Sequence, residues 1–261
     1  MIPLGPFTTD NAPMAALAIG AFLVFLRIGS FVAFMPPFTG KGLPNTVKIG
    51  LAMALTLLWL PTARLDPGLA AALSLPKMMI LGVAEVMTGL ALAAILGLFL
   101  VPMKVAGSYI TQEMGLEFAS QASLVEAQEQ SIVSTILEAL GTLLFFSSGM
   151  DHFVFRVIGR SFQLNPVGGP WVRPNGEWII SAFGRMQEYG IQMAAPVAAL
   201  LFLTSVTLFL LARWAPQINL FSVGFQIRLL AGLSALIVFL PELGRVSVSL
   251  FQRMARLSLS T

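Results

Sequence analysis

The sequence predicts an all-α integral membrane protein, and three observations carry that prediction. Hydrophobic residues make up 57% of the 261-residue chain, charged residues only 10%, and the mean hydropathy is +0.86. A soluble domain carries about 25% charged residues, so much of this chain is solvated by lipid or by equally apolar neighbours. The apolar residues fall into six segments, at 14–35, 49–60, 78–101, 132–146, 191–212 and 229–240. Prolines at or beside segment ends (Pro36, Pro37, Pro61, Pro76, Pro102, Pro216 and Pro241) mark helix boundaries, because proline removes a backbone donor and clashes with the preceding turn.

Segment length then grades the elements. About 30 Å of hydrocarbon takes roughly 20 residues of helix to cross. The first, third and fifth segments are long enough; the second, fourth and sixth are short. The alternation predicts helical hairpins that combine long and short apolar helices and pack on one another or on partner subunits of similar shape, the whole chain 1–261 forming one membrane domain; a plain six-span bundle is the alternative if the helices extend into their polar flanks. Pro196 predicts a kink in the fifth segment. Lys and Arg are spread too evenly over the connections to fix an orientation. The N-terminal stretch has an acid and no basic residue, with no small-residue cleavage site, so the first segment is expected to be retained.

Ionisable groups interrupt the apolar segments: Arg27 in the first, Glu85 in the third and Glu138 in the fourth. A charge at the bilayer centre costs about 2.5–3.5 kcal/mol on insertion scales, so each must face protein or water. Mutual pairing within a helix interface is one reading; proton relay through Glu85 or Glu138 is another. Gly89, Ala93 and Gly97 recur every four residues on one face of the third segment, and small residues so placed let two helix backbones approach closely.

Catalytic chemistry finds little support. There is no cysteine and a single histidine, His152 beside Asp151, so a metal site lacks ligands. No phosphate-binding glycine loop or nucleophile elbow is present. The net charge of +3 is scattered and forms no nucleic-acid-binding cluster. The expectation is a non-enzyme without cofactor or metal. A gradient-driven transporter using Glu85, Glu138 and His152 is the rival reading.

One stretch stands apart. Residues 107–131, GSYITQEMGLEFASQASLVEAQEQS, hold glutamates and glutamines but no Lys or Arg. Glycines at 107 and 115 bound a piece able to turn sharply. Such a stretch is either a solvated loop or an irregular element lining a pore, where Ile110, Met114, Leu116 and Phe118 would seal a constriction and Gln112, Glu113 and Glu117 would bond to water or to subunits.

Four stretches, in order, resemble the FliR family of flagellar export-gate proteins. RIGSFVAFMPPFTGKGLPNTVKIGLA is similar to its opening, AGSYITQEMGLEFA to its central glycine-bounded segment, and LLFFSSGMDHFVFRVIGRSFQLNPVGG to its apolar run followed by His and Ser-Phe. RWAPQINLFSVGFQIRLLAGL matches its Pro-Gln-x-Asn-x-Phe-x-x-Gly pattern through Pro216, Gln217, Asn219, Phe221 and Gly224. Asp151 departs from the pattern, which has glycine or histidine there. Gln217, Asn219 and Gly224 favour the flagellar branch over the related injectisome proteins.

The resemblance implies a core subunit of the type III secretion export gate in the flagellar basal body of the bacterial inner membrane. It implies partnership with FliP-like and FliQ-like subunits, and with FlhA-like and FlhB-like gate proteins. Unfolded flagellar subunits would pass through the shared pore, driven by proton motive force and an associated ATPase. It also implies that the stretch at about 106–121 plugs that pore.

Overall fold

The computed structural model describes residues 11–39, 43–63, 75–116, 132–169, 176–215 and 220–260. These residues are overwhelmingly helical: α1 Asn11–Phe34, α2 Pro36–Thr39, α3 Asn45–Trp59, α4 Leu75–Gly97, α5 Val101–Met114, α6 Ile132–Ser147, α7 Met150–Leu164, α8 Gly176–Trp214 and α9 Leu220–Ser260. The chain divides into two compact units, Met1–Gly97 with His152–Gly176, and Leu98–Asp151 with Glu177–Thr261.

In the first unit α1 packs along α4 and against α3. The contact face of α1 carries Leu23, Val24, Ile28, Phe31 and Val32, all almost fully buried. Small residues let the partner helix come close. Gly89 of α4 lies against α1 so tightly that a Cβ there would overlap Ser30 Oγ and the Arg27 carbonyl oxygen. Ala93 is buried, and a Cβ on Gly97 would stand 3.0 Å from Pro36 Cγ.

In the second unit α5 and α6 form the tightest pair, with α9 packed on both. Its core gathers Met103, Ala106, Ile110 and Met114 of α5, Val133 and Leu137 of α6, Met193, Val197 and Leu201 of α8, and Ala235 and Leu243 of α9. Glycines again set the spacing: a Cβ on Gly107 would come within 2.5 Å of Ser134 Cα, and one on Gly190 within 2.6 Å of Val105 Cβ. Three rings close one end, with Phe145 edge-on to both Phe99 and Phe251 at centroid distances of 5.8 and 5.7 Å.

Several sequence expectations are corrected. Among the described residues four helices, not three, are long and apolar enough to span: Leu17–Phe34, Pro76–Gly97, Gly176–Trp214 and Val223–Arg253. The sixth segment is not short. It is the apolar middle of α9, a helix of 41 residues that carries Pro241 inside it rather than at its end. Beyond Pro241 the helix turns amphipathic: Leu243, Ser247, Leu250 and Phe251 are buried at helical spacing while Glu242 and Arg245 face out. A narrow buried stripe is enough to sustain a helix that hydropathy alone would end. The same applies to α8, whose buried stripe begins at Ala182, well before the apolar segment at 191–212, and runs on past Pro196 to Leu208.

The connection at 151–190 contains α7, and Gly149 between α6 and α7 takes φ +75°, where a side chain would be strained. Residues 107–114 are not a turn either, because α5 runs unbroken to Met114. Gly107 sits in its interior, selected by the close approach of Ser134 rather than by flexibility.

These contacts predict opposite outcomes for two helical glycines. Gly89→Leu overpacks the α1–α4 interface and should lower stability by about 1–3 kcal/mol or more. Gly50→Ala, with nothing within 4 Å of its Cβ, should be neutral or stabilising by up to ~1 kcal/mol. Thermal unfolding of the purified variants measures both.

Candidate functional site

Arg27 lies mid-way along α1 among Val24, Ile28 and Phe31 and is only 2% exposed. A guanidinium so placed keeps its charge and needs acceptors. Glu85, one turn before Gly89 on α4, meets it with Oε2 2.5 Å from Arg27 Nε. Arg27 Nη1 also donates to the Ser161 carbonyl at 3.2 Å, and its Cζ stands 4.7 Å from the centroid of the Phe162 ring, a cation–π contact. The remaining oxygen of Glu85 accepts from the Gly168 backbone N–H at 3.1 Å. One ion pair thus fastens α1, α4, the last turn of α7 and the turn after it.

Glu138 is outside this cluster, half-buried on α6, and His152 is exposed on α7. Asp151 lies in the first turn of α7, where the helix dipole favours an acid. The rival reading of Glu85 as a proton carrier meets a carboxylate committed on both oxygens. Sequence reasoning missed the roles of Ser161 and Gly168, because both act through backbone groups that any residue type supplies.

The second candidate region is the end of α5. Gly115 caps the helix in the left-handed conformation, φ 75° and ψ 15°, and donates its N–H to Gln112 O and Thr111 O. Two of the four side chains expected to seal a pore belong to the core: Ile110 and Met114 are wholly buried. The physical reason is spacing. Positions 103, 106, 110 and 114 share one helical face, which α6, α8 and α9 cover. Met114 fills a notch on α9, where a Cβ on Gly232 would lie 2.5 Å from Met114 Cγ.

Leu116 packs partly buried against the same core, while Gln112 and Glu113 face out. Glu117, Phe118, Pro216, Gln217 and Asn219 lie outside the described residues, and Phe221 is placed by its backbone alone in the first turn of α9. Gly224 faces Leu208, with a would-be Cβ 3.7 Å from Leu208 Cδ1.

Two glycine-lined units of apolar helices, one stapled by an internal ion pair, define a membrane-embedded helical protein, and the described residues assemble no catalytic constellation. Comparison with known proteins supplies the family. The profile described as "Bacterial export proteins, family 1" matches residues 18–254, and the chain belongs to that family, which includes the FliR proteins. It is 29% identical over 220 residues to the flagellar biosynthetic protein FliR of Bacillus subtilis (strain 168), covering 83% of this chain and 84% of that one. Against the Escherichia coli (strain K12) protein of the same name, identity is 25% over 237 residues, 90% of each chain. Against the Aquifex aeolicus (strain VF5) protein it is 28% over 234 residues, 89% of each.

The ion pair predicts strong non-additivity. Removing either partner alone, as in Arg27→Met or Glu85→Met, strands a buried charge and should cost about 3–5 kcal/mol. The double variant should cost markedly less than the sum of the two. Detergent-solubilised melting curves for the four proteins decide it.

Proposed function

We infer that the protein is a core subunit of the flagellar type III export gate, joining FliP-like and FliQ-like subunits around a pore for unfolded flagellar proteins. The observation that carries this reading is the extent of the family match, 18–254. The pairwise matches to the FliR relatives cover 84–90% of those chains' own length, so the correspondence is between nearly whole chains, not between a shared helix pair.

The chain's surface supports an assembled state. Large apolar side chains stay exposed along α3 and α8, among them Met53, Leu57, Phe202, Phe209 and Trp214, and such faces require lipid or protein cover. On this reading the location is the inner membrane at the flagellar basal body, where FlhA-like and FlhB-like proteins adjoin. The gate subunit holds a conduit in shape and performs no bond chemistry.

The plug belongs to the same proposal. With Ile110 and Met114 built into the core, α5 acts as the fixed stem, and the closing part of the stretch at 106–121 is its portion C-terminal to the Gly115 cap. Deleting residues 108–115 would destroy the core, so the informative deletion lies beyond it.

Deleting the gene should abolish motility and secretion of hook and filament subunits, and the tagged chain should co-purify with co-expressed FliP-like and FliQ-like chains. A chain that purifies alone beside them, with motility intact in its absence, removes the reading. Deleting residues 117–124 in the assembled complex should raise ion conductance in planar bilayers without loss of assembly. Unchanged conductance places the seal elsewhere.

A further inference from the structure

The first unit carries a charge imbalance that the export reading does not use. Its described residues include five Lys and Arg, at positions 27, 48, 77, 156 and 160, and a single acid, Glu85, which is already bonded to Arg27. Over the unit's whole sequence the balance is eight to three. Arg156 and Arg160 are one turn apart on α7, in line with the exposed His152. Neither arginine forms an ion pair or side-chain hydrogen bond with a described residue.

Beside this row lies an open groove of about 370 Å³, lined by Leu58, Trp59, Thr62 and Phe155. That volume is within the range of small-molecule clefts, ~300–1,000 Å³. The groove is apolar in effect: the Thr62 hydroxyl is spent on the Trp59 carbonyl at 2.9 Å, and Leu58 and Phe155 are 61% and 40% exposed.

The groove and the arginines are fastened together. Gly159 of α7 leaves room for the Trp59 indole, whose Cη2 would lie 2.6 Å from a Cβ there. Trp59 also packs on Phe162, with ring centroids 6.3 Å apart. At about 100° per residue, Phe155 and Gly159 form one row of α7, and His152, Arg156 and Arg160 form the adjoining row toward solvent.

An oily slot with a cationic row on the adjoining face of α7 as its rim has the chemistry of one ligand class. We propose that the first unit binds an anionic phospholipid, an acyl chain lying over Trp59 and Phe155 and the phosphate held by Arg156 and Arg160. Arginine suits the role because its guanidinium bonds phosphate oxygens two at a time while its stem lies along apolar surface. A neutral lipid would fill the groove but leave the rim charge uncompensated. A free phosphate would satisfy the rim and leave the groove empty.

The test uses the full chain with Trp171, Trp178 and Trp214 replaced by Phe, so that Trp59 is the only tryptophan and is excited alone at the red edge, in phosphatidylcholine nanodiscs. Brominated phosphatidylglycerol should quench Trp59 at a mole fraction lower than brominated phosphatidylcholine requires. The preference should fall by about fivefold for each arginine removed, and by roughly 25-fold in R156Q/R160Q. R156K/R160K, which keeps the charge, should retain most of it. Equal quenching by the two lipids in the unaltered background overturns the proposal. A preference that survives in R156Q/R160Q overturns it as well, and so does displacement of the brominated phosphatidylglycerol by inorganic phosphate.

Discussion

A guanidinium and a carboxylate in direct contact among apolar helices are the interaction on which the first unit depends. Arg27 cannot discard its proton, and burial at 2% exposure denies it water. Every acceptor around it is therefore obligatory: the carboxylate of Glu85, the Ser161 carbonyl and the face of Phe162. Because Glu85 in turn binds the Gly168 N–H, the charge pair fixes where the chain after α7 must run. Apolar packing alone is non-directional and would allow α1 and α4 to slide; the pair sets their register.

The second unit reaches the same end without charge. Its helices touch backbone to backbone at Gly107 and backbone to side chain at Gly190 and Gly232, where absence of a Cβ turns dispersion contacts into a locating device. Methionines answer those notches: Met103 sits against Gly141 and accepts from Ser247 Oγ at 3.3 Å, and Met114 against Gly232. A flexible thioether fills irregular gaps that a branched side chain would strain. The consequence for function is that α5 enters the acidic stretch from a rigid base, its last turn held by core packing and closed by the Gly115 cap.

An export-gate subunit needs both properties. On the proposed reading, stiff internal joints would hold a conduit open against passing polypeptide, and the apolar outer faces on α3 and α8 would be left for lipid or neighbouring subunits to cover. The uncompensated arginines of α7 add a third kind of surface, one that selects its covering by charge.

The sequence by itself determined the helical membrane class, the positions of α1, α3, α4 and α6 and the family, since hydropathy, proline placement and ordered motifs are local properties written along the chain. It also marked Arg27 and Glu85 as groups in need of partners. Only the tertiary structure decided that these two choose each other, that Ser161 and Gly168 complete the pair, and that Ile110 and Met114 belong to the core. It alone extended α8 and α9 far beyond their apolar middles and drew α7 out of an apparent connection. The physical reason is common to all of these. A window of hydropathy reports what a helix would lose in water, whereas a narrow buried stripe, a backbone acceptor or a glycine notch has meaning only against the distant residue that fills it.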